Sequence, residues 1–437
     1  MKRPHALSGE TGPLGPRVES LVREYADLWR EATPDPEEKE RIYSGGERRS
    51  FEKEFSKLAG EISSAAEMHA HPECETDADG LDRFADRLRP LFGRLLGELD
   101  LPLETVYNAR FVESTRSFIT EVRSFDPDLG IPEVYQALRN VWIMNTLQFV
   151  LDRSIEHTDA IFGYSMIYPY LDNLLDDPRA SPAVKAATVA KIKDWLEGSN
   201  PSPETPVEDK IRRLIARIEN MFDRKDVPGV FRSMLAIFNA QVRSLSQQHN
   251  GFSPGRADIL EISLEKGGTS VLADGYLTAG RLDPAEEDFC FGFGTFLQLA
   301  DDLQDVSEDI RSGHRTLFTE AAGQGVLDGL ILKLQGYIRL VLGRNSGLHP
   351  DRMEFLAALI RRSCFLMNIG SAGRRPEYFS RGFLRACQAR FPVRFSYLRK
   401  AGRTLPQSLL NGRRKIRDVD PALAAFLTVS SRTLSLS

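Results

Sequence analysis

The sequence predicts an all-α fold, and three observations support this. Apolar residues recur three or four positions apart in almost every segment between residues 18 and 400. Polar breaks that contain proline or glycine separate these segments, and no stretch keeps the alternation expected of a half-buried strand. We therefore expect a bundle of roughly a dozen helices, with strands as the exception.

The composition is typical of a globular protein with a large core. The chain has 437 residues, of which 41% are hydrophobic and 27% are charged. A net charge of −5 argues against nucleic-acid binding, because no overall positive field attracts phosphates. The four cysteines lack C-x-x-C spacing and indicate neither a zinc site nor a disulfide framework. Without a signal-like segment or an apolar run of ~18 residues, we expect a cytoplasmic protein.

The apolar pattern divides the chain into four regions. We expect a flexible N-terminus at 1–17, an N-terminal helical region at 18–125, a core at 126–400 and a tail at 401–437. Within the core, the helical segment 131–145 has Pro132 in its first turn and Arg139 on its apolar face. A buried arginine needs a partner, which is either an anionic substrate or a structural carboxylate.

Two acidic clusters follow apolar helical segments. Asp172 and Asp176 are i and i+4 and share a helix face, with Asp177 beside them. Pro169 is expected to kink or restart this helix, because proline lacks the N–H and clashes with the preceding turn. The segment from 289 ends in the second cluster, in which Asp301 and Asp305 share a face, with Asp302 beside them and Gln298 one turn earlier.

Such clusters repel themselves unless a cation neutralises them. Mg²⁺ binds few protein carboxylates and leaves positions open for substrate phosphates. Between the clusters, Gly267 and Gly268 interrupt a helical pattern and suggest either a helix break or a close approach of two backbones.

The residues at 296–305, Phe-Leu-Gln-Leu-Ala-Asp-Asp-Leu-Gln-Asp, resemble the second aspartate-rich motif of trans-prenyltransferases and related class I isoprenoid synthases. The segment 172–176 resembles a degenerate first motif, and the likeness covers residues 139–319. The resemblance implies a class I terpenoid synthase-like helical bundle around a central cavity, with extra N-terminal helices. It also implies a homodimer, a prenyl diphosphate substrate and Mg²⁺ as cofactor, held by Asp172, Asp176, Asp177, Asp301, Asp302 and Asp305.

The same resemblance assigns the site residues. Five aspartates are the expected catalytic residues, namely Asp172, Asp176, Asp301, Asp302 and Asp305. Lys266 and Thr269 resemble a lysine–threonine pair that contacts diphosphate in the family, although here they are not adjacent. Either His314 or Arg315 stands where the family has a loop lysine, and Arg315 could instead pair with Asp309. The expected substrate-binding set is Arg139, Lys266, Thr269, Gln298, His314 and Arg315.

Departures from the family pattern bear on the reaction. Elongating prenyltransferases have an Arg-Arg pair after the first motif and a Gly-Lys-x-x-Arg stretch before it. Here a single arginine, Arg179, follows the first cluster, and no Gly-Lys-x-x-Arg stretch lies upstream of that cluster. The resemblance therefore favours a terpene synthase that ionises one allylic diphosphate and releases a hydrocarbon or alcohol. An elongating or head-to-head prenyltransferase and an inactive helical scaffold are the alternatives.

Two further patterns have more than one interpretation. Phe289, Phe293, Phe296 and Tyr164 precede the acidic clusters and either line a cavity or belong to the core. Residues 361–414 are rich in arginine with interleaved aromatic residues. This region is either a solvated face packed on the core or a surface for peripheral contact with anionic lipid.

Overall fold

A computed structural model of the chain describes residues 14–35, 41–68, 108–176, 180–247, 256–344, 348 and 350–404. Nearly all of the expected flexible N-terminus and of the tail at 401–437 lies outside these ranges, as does Asp177. The side chains of Asp172 and Asp176 also lie outside the description, although their backbone is included.

The described residues form sixteen α-helices and two short 3₁₀ helices, without a β-strand. This confirms the all-α prediction. Numbered α1 to α16 in chain order, the helices are Leu14–Glu31, Gly45–Met68, Ala109–Phe125, Ile131–Val150, Asp159–Asp176, Pro182–Glu197, Pro206–Met221, Pro228–Ser244, Arg256–Ala279, Pro284–Gln304, Val306–Ser312, Leu317–Ala322, Asp328–Gly343, Pro350–Arg374, Arg381–Ala389 and Phe395–Thr404.

Local capping residues fix where several of these helices begin. At α10, the Asp283 side chain accepts from the backbone N–H groups of Ala285 and Glu286, and the Glu286 carboxylate accepts from the backbone N–H of Asp283. This reciprocal arrangement satisfies N–H groups that have no partner within the helix. Pro284 follows at the first helical position, where the missing N–H of proline costs nothing. These signals are local to residues 283–286, and the helix begins about one and a half turns before the segment from 289 that the apolar pattern indicated.

Helices α9 and α10 form the most extensive helix pair in the described fold. A β-carbon at Gly267 would lie 2.4 Å from the carbonyl oxygen of Gly294, and one at Gly268 would lie 2.5 Å from the ring of Phe291. The glycines therefore permit a close approach of two backbones, and α9 continues without a break from Arg256 to Ala279.

Helix α5 also continues through its proline. Pro169 lies inside Asp159–Asp176, so the expected restart of the helix does not occur. The helix packs between α4 and α7, and its residues Ile161, Phe162 and Met166 are fully buried. Burial of this apolar face stabilises the helix, and this gain exceeds the cost of the single backbone hydrogen bond that the proline removes.

The remaining helices complete the bundle around this centre. Helices α1, α4 and α8 pack on α9, and α13 and α14 pack on α10. In the arginine-rich region, Phe391 and Phe395 pack into the core while Arg385 and Arg399 are exposed. This agrees with a solvated face, and contact with lipid stays a prediction. No helix among the described residues is both long enough and apolar enough to cross a bilayer.

Candidate functional site

The second acidic cluster lies where α10 ends and α11 begins. Asp305 is the boundary residue, and its backbone N–H donates to the carbonyl oxygen of Asp301 at 2.9 Å. The C-terminal end of a helix carries partial negative charge, so carboxylates there are unfavourable without a nearby cation. Asp309 continues the i, i+4 series of Asp301 and Asp305 one turn into α11. Asp309 was not among the site residues predicted from the sequence, although this spacing is a signal for it.

Asp301 pairs with Arg139 from α4. The Nη2 group of Arg139 lies 3.3 and 3.2 Å from the two carboxylate oxygens of Asp301, and the two side chains are 41% and 45% exposed. The charge of Asp301 raises the pKa of Arg139. The carboxylate partner expected as one alternative for Arg139 is therefore an aspartate of the acidic cluster itself. Because the pair is open to solvent, another cation or anion could replace either partner.

Asp302 points inward and is only 5% exposed. It accepts hydrogen bonds from Gln298 Nε2 at 2.8 Å and from Ser263 Oγ at 3.0 Å. Burial raises the pKa of Asp302 to about 6, although Gln298, Lys266 and Ser263 oppose the shift. Burial of both oxygens separates Asp302 from Asp301 and Asp305, whose carboxylates are open to solvent. Ser263, on α9, is a second residue of the site that was not predicted from the sequence.

Asp305 and Asp309 interact with each other and with Lys266. Burial raises the pKa of Asp309 to about 7, with further contributions from the charges of Asp302 and Asp305. Partial burial and the charge of Asp301 likewise raise the pKa of Asp305, although its side chain stays open to solvent. The ammonium of Lys266 opposes each shift, so it lies near all of these carboxylates. No salt bridge within 4.0 Å joins Lys266 to another described residue.

The loop after α11 contributes His314 and Arg315. The backbone N–H of His314 donates to the carbonyl oxygen of Asp309, and burial together with Lys266 lowers the pKa of the His314 imidazole. The Nε group of Arg315 lies 2.8 Å from Glu320, so this arginine pairs with Glu320. Two hydrogen bonds with Gln247 hold the backbone of Arg315. His314 is therefore beside the acidic cluster, whereas the Arg315 side chain faces α12.

Thr269 is not brought to the cluster. Its side chain is fully buried, and its hydroxyl donates to the carbonyl oxygens of Glu265 and Lys266 within α9. The aromatic residues of α10 are also buried, and Phe293 packs against Phe289 and Phe296. Their packing agrees with the core interpretation.

The helix register indicates where the first acidic cluster lies. The Tyr168 hydroxyl of α5 is 3.2 Å from the Ser270 hydroxyl of α9. Tyr164, one turn before Tyr168 on α5, lies near Asp274, which is one turn after Ser270 on α9. The two helices are therefore antiparallel. Extending this register by one turn places the backbone of Asp172 level with Lys266. The C-terminal end of α5 thus lies at the same end of the bundle as the C-terminal end of α10.

Among the side chains that the structure describes, no three acidic, histidine or cysteine groups are arranged to hold one metal ion. The side chains of the first cluster are outside that set, so a shared metal site stays a prediction. An open cavity of about 520 Å³ is lined by Arg116, Ser117, Phe125, Arg213 and other residues of α3 and α7. It lies apart from the acidic cluster. Comparisons with protein-family models, with curated proteins and with solved structures found no match to this chain.

Proposed function

We propose that this protein is a Mg²⁺-dependent terpene synthase, which ionises an allylic prenyl diphosphate and releases diphosphate. The observation that carries the proposal is the convergence of Asp301, Asp305, Asp309, Lys266 and Arg139 at the end of α10. The carboxylates outnumber the cationic side chains beside them. The carboxylates suit metal ions, and the cationic side chains suit anionic oxygens, so the site fits a ligand that brings both. The all-α fold and the resemblance of the acidic motifs support the same assignment.

The available side chains fit Mg²⁺ in their chemistry. Carboxylate oxygens are its preferred protein ligands, and Asp301 and Asp305 have solvent-exposed carboxylates on one helix face. Asp301 and Asp305 would hold the ions together with Asp172 and Asp176 of α5 and with Asp177, the next residue in the chain. Bound Mg²⁺ would neutralise the diphosphate and stabilise negative charge on the leaving oxygen.

The chain's own cations would orient the diphosphate. Arg139 reaches the cluster from α4, so exchange of its partner from Asp301 to a diphosphate oxygen needs only a side-chain movement. Lys266 lies among the aspartates without a close salt bridge to any described residue and would contribute a second positive charge. Gln298 and Ser263 would fix the orientation of Asp302. The imidazole of His314, with its lowered pKa, would be neutral at pH 7 and available as a hydrogen-bonding group.

The test is incubation of the purified protein with C10 to C25 prenyl diphosphates and Mg²⁺, without isopentenyl diphosphate. We expect release of diphosphate together with a hydrocarbon or an alcohol. The second candidate is a prenyltransferase, which the prenyltransferase-like motif at Asp301–Asp305 favours. Product that forms only after addition of isopentenyl diphosphate or a second prenyl diphosphate would establish that candidate instead. An inactive scaffold would release no diphosphate under either condition.

A further inference from the structure

A line of polar side chains runs along one face of α9 from the acidic cluster into the core. Ser263, Lys266, Ser270 and Asp274 are spaced by three, four and four residues and therefore share one helix face. Lys266 and Ser270 are half-buried, whereas Asp274 has no exposed surface. The eight residues from Lys266 to Asp274 correspond to about 12 Å along the helix axis. A ligand held at the cluster by its diphosphate could extend along this face.

Asp274 is a fully buried ionisable side chain in the core. Neither of its carboxyl oxygens has a partner within hydrogen-bonding geometry. Burial raises the pKa of Asp274 far above its usual range, and a contact with the Asn140 amide that falls outside hydrogen-bonding geometry opposes this shift. The Asn140 amide itself donates to Ser165 Oγ at 3.1 Å. A buried polar group without a partner is unfavourable, so a bound molecule that hydrogen-bonds to Asp274 would be stabilised.

A chain of hydroxyl groups begins beside Asp274 and leads back toward the acidic cluster. The hydroxyl of Tyr164 lies 2.8 Å from that of Tyr168, which lies 3.2 Å from Ser270 Oγ. Burial raises the pKa of Tyr164, and the nearby charges of Tyr168 and Asp274 raise it further. Ser270 is one turn from Lys266. Hydroxyl groups both donate and accept, so this chain can pass a proton between the core and the cluster.

We propose that Asp274, together with Asn140 and Ser165, positions a water molecule that captures the carbocation, so that the product is a terpene alcohol. This inference rests on the proposed function and names the group that ends the reaction. Asp274 is a positioning residue in this account because it acts through the water. Three polar side chains from α4, α5 and α9 meet here, where the surrounding side chains are apolar. A carbocation that meets no water in such surroundings loses a proton and gives a hydrocarbon.

The step balances with water as the only co-reactant. The allylic C–O bond breaks and its electron pair leaves with the diphosphate. A lone pair of the water oxygen forms the new C–O bond, and the water proton passes by way of the Tyr164–Tyr168–Ser270 hydroxyls to the diphosphate. Asp274 only hydrogen-bonds to the water and keeps its protonation state throughout. The net reaction is hydrolysis of the prenyl diphosphate with formation of the alcohol.

The experiment compares products formed in ¹⁸O-labelled water with Mg²⁺ and the prenyl diphosphate that the wild type uses. The variants are Asp274→Leu, which removes the polar group, and Asp274→Asn, which keeps one donor and one acceptor site of similar shape. Gln335→Leu is the matched control, because the Gln335 amide on α13 is another buried polar group without a partner in hydrogen-bonding geometry. Diphosphate release, the alcohol fraction and ¹⁸O content are measured for each protein.

We expect the wild type and Gln335→Leu to form an alcohol that carries one ¹⁸O atom. Asp274→Leu should release diphosphate at a rate within about threefold of wild type. It should lower the ratio of alcohol to hydrocarbon by about tenfold or more. A tenfold change corresponds to about 1.4 kcal/mol between the barriers of water capture and proton loss. Asp274→Asn should restore most of the alcohol. A merely structural role would change turnover without changing this ratio.

Three results would overturn the inference, and they differ in what they imply for the proposed function. If the wild type releases diphosphate but forms only hydrocarbon, or if Asp274→Leu leaves the alcohol fraction unchanged, the positioning role of Asp274 is wrong while the proposed function stands. If no prenyl diphosphate loses its diphosphate in the presence of wild-type protein, the proposed function fails, and the inference fails with it. Unfolding curves for both leucine variants show whether each protein is folded.

Discussion

The carbonyl oxygen of Gly267 lies 2.0 Å from the point that a β-carbon at Gly294 would occupy. Helices α9 and α10 can reach this separation only because neither residue has a side chain. Lys266 is adjacent to Gly267 in the chain, and Gln298 is one turn beyond Gly294. The contact therefore sets how closely the cation on α9 approaches the carboxylates on α10.

Replacement of Gly294 by alanine should destabilise the fold, because its methyl group would meet backbone atoms that cannot move independently. We expect the free energy of unfolding to fall by about 1–3 kcal/mol or more. Urea unfolding followed by circular dichroism measures this change. Gly60→Ala is the control, since a β-carbon at Gly60 meets nothing within 4 Å. That substitution in the interior of α2 should stabilise by about 0.5–1 kcal/mol. Equal effects of the two substitutions would contradict the close approach.

Replacement of Arg139 by methionine should have opposite effects on two ligands. Loss of the guanidinium frees Asp301, so Mg²⁺ alone should bind more tightly. Inorganic diphosphate in the presence of Mg²⁺ should bind roughly tenfold more weakly, because one charge-assisted hydrogen bond is lost. Isothermal titration calorimetry measures both affinities.

The control for this experiment is Arg213→Met on α7, which pairs with Asp209 at 3.9 Å. It removes the same charge away from the acidic cluster and should leave both affinities unchanged. Weaker Mg²⁺ binding by Arg139→Met would show that Arg139 does not compete with the metal for Asp301.

Addition of Mg²⁺ should raise the melting temperature of the wild type, and EDTA should reverse the rise. Binding to the native state alone stabilises a protein by about 2.7 kcal/mol when the ligand is at a hundred times its Kd. Asp305→Asn should remove most of this effect, because it deletes a proposed ligand. Glu308→Gln removes the same charge at an exposed neighbouring position and should keep it. A Mg²⁺-dependent shift of equal size in both variants would exclude Asp305 as a ligand.

The stability of the fold should depend on pH through Glu52. Glu52 on α2 is 5% exposed and accepts from the backbone N–H, Nε and Nη2 groups of Arg394. Burial raises the pKa of Glu52, but the hydrogen bonds and charge of Arg394 outweigh it, so the pKa is lowered from 4.5. A lowered pKa in the folded state stabilises the protein above the unfolded pKa, and this contribution is lost as the pH falls below 4.5.

Glu52→Gln should therefore lower the free energy of unfolding by about 2 kcal/mol at pH 7, with a smaller difference below pH 4.5. Urea unfolding at several pH values measures the difference from wild type. Asp209→Asn, in an exposed ion pair, should change stability by less than about 1 kcal/mol at any pH. A difference for Glu52→Gln that does not change with pH would show that the charge of Glu52 contributes nothing.

Local signals explain which parts of the fold and the candidate site the sequence could predict. Helix periodicity and capping residues depend on near neighbours, so the sequence predicted the all-α class and the acidic end of α10. The i, i+4 series extends to Asp309, so the sequence also contained a signal for this fourth carboxylate. Its inclusion in the site required only that the same spacing be followed for one more turn.

Other properties depend on which helices pack together. Gly267 and Gly268 were compatible with a break or a close contact, because glycine lowers helix propensity and also permits backbones to meet. Only the packing of α9 on α10 decided between them. Packing also decided the environment of Asp302. Neighbours across the helix interface bury Asp302 and donate a hydrogen bond to it, whereas the adjacent Asp301 pairs with Arg139 in solvent.

The sequence by itself determined that this chain forms helices and that carboxylates gather at the ends of two of them, because spacing along one helix fixes both properties. The tertiary structure alone decided that Arg139, Ser263 and Lys266 lie beside the second cluster and that Asp274 is enclosed in the core. The physical reason is that burial and electrostatic interaction depend on distances between helices. Residues far apart in the chain set those distances.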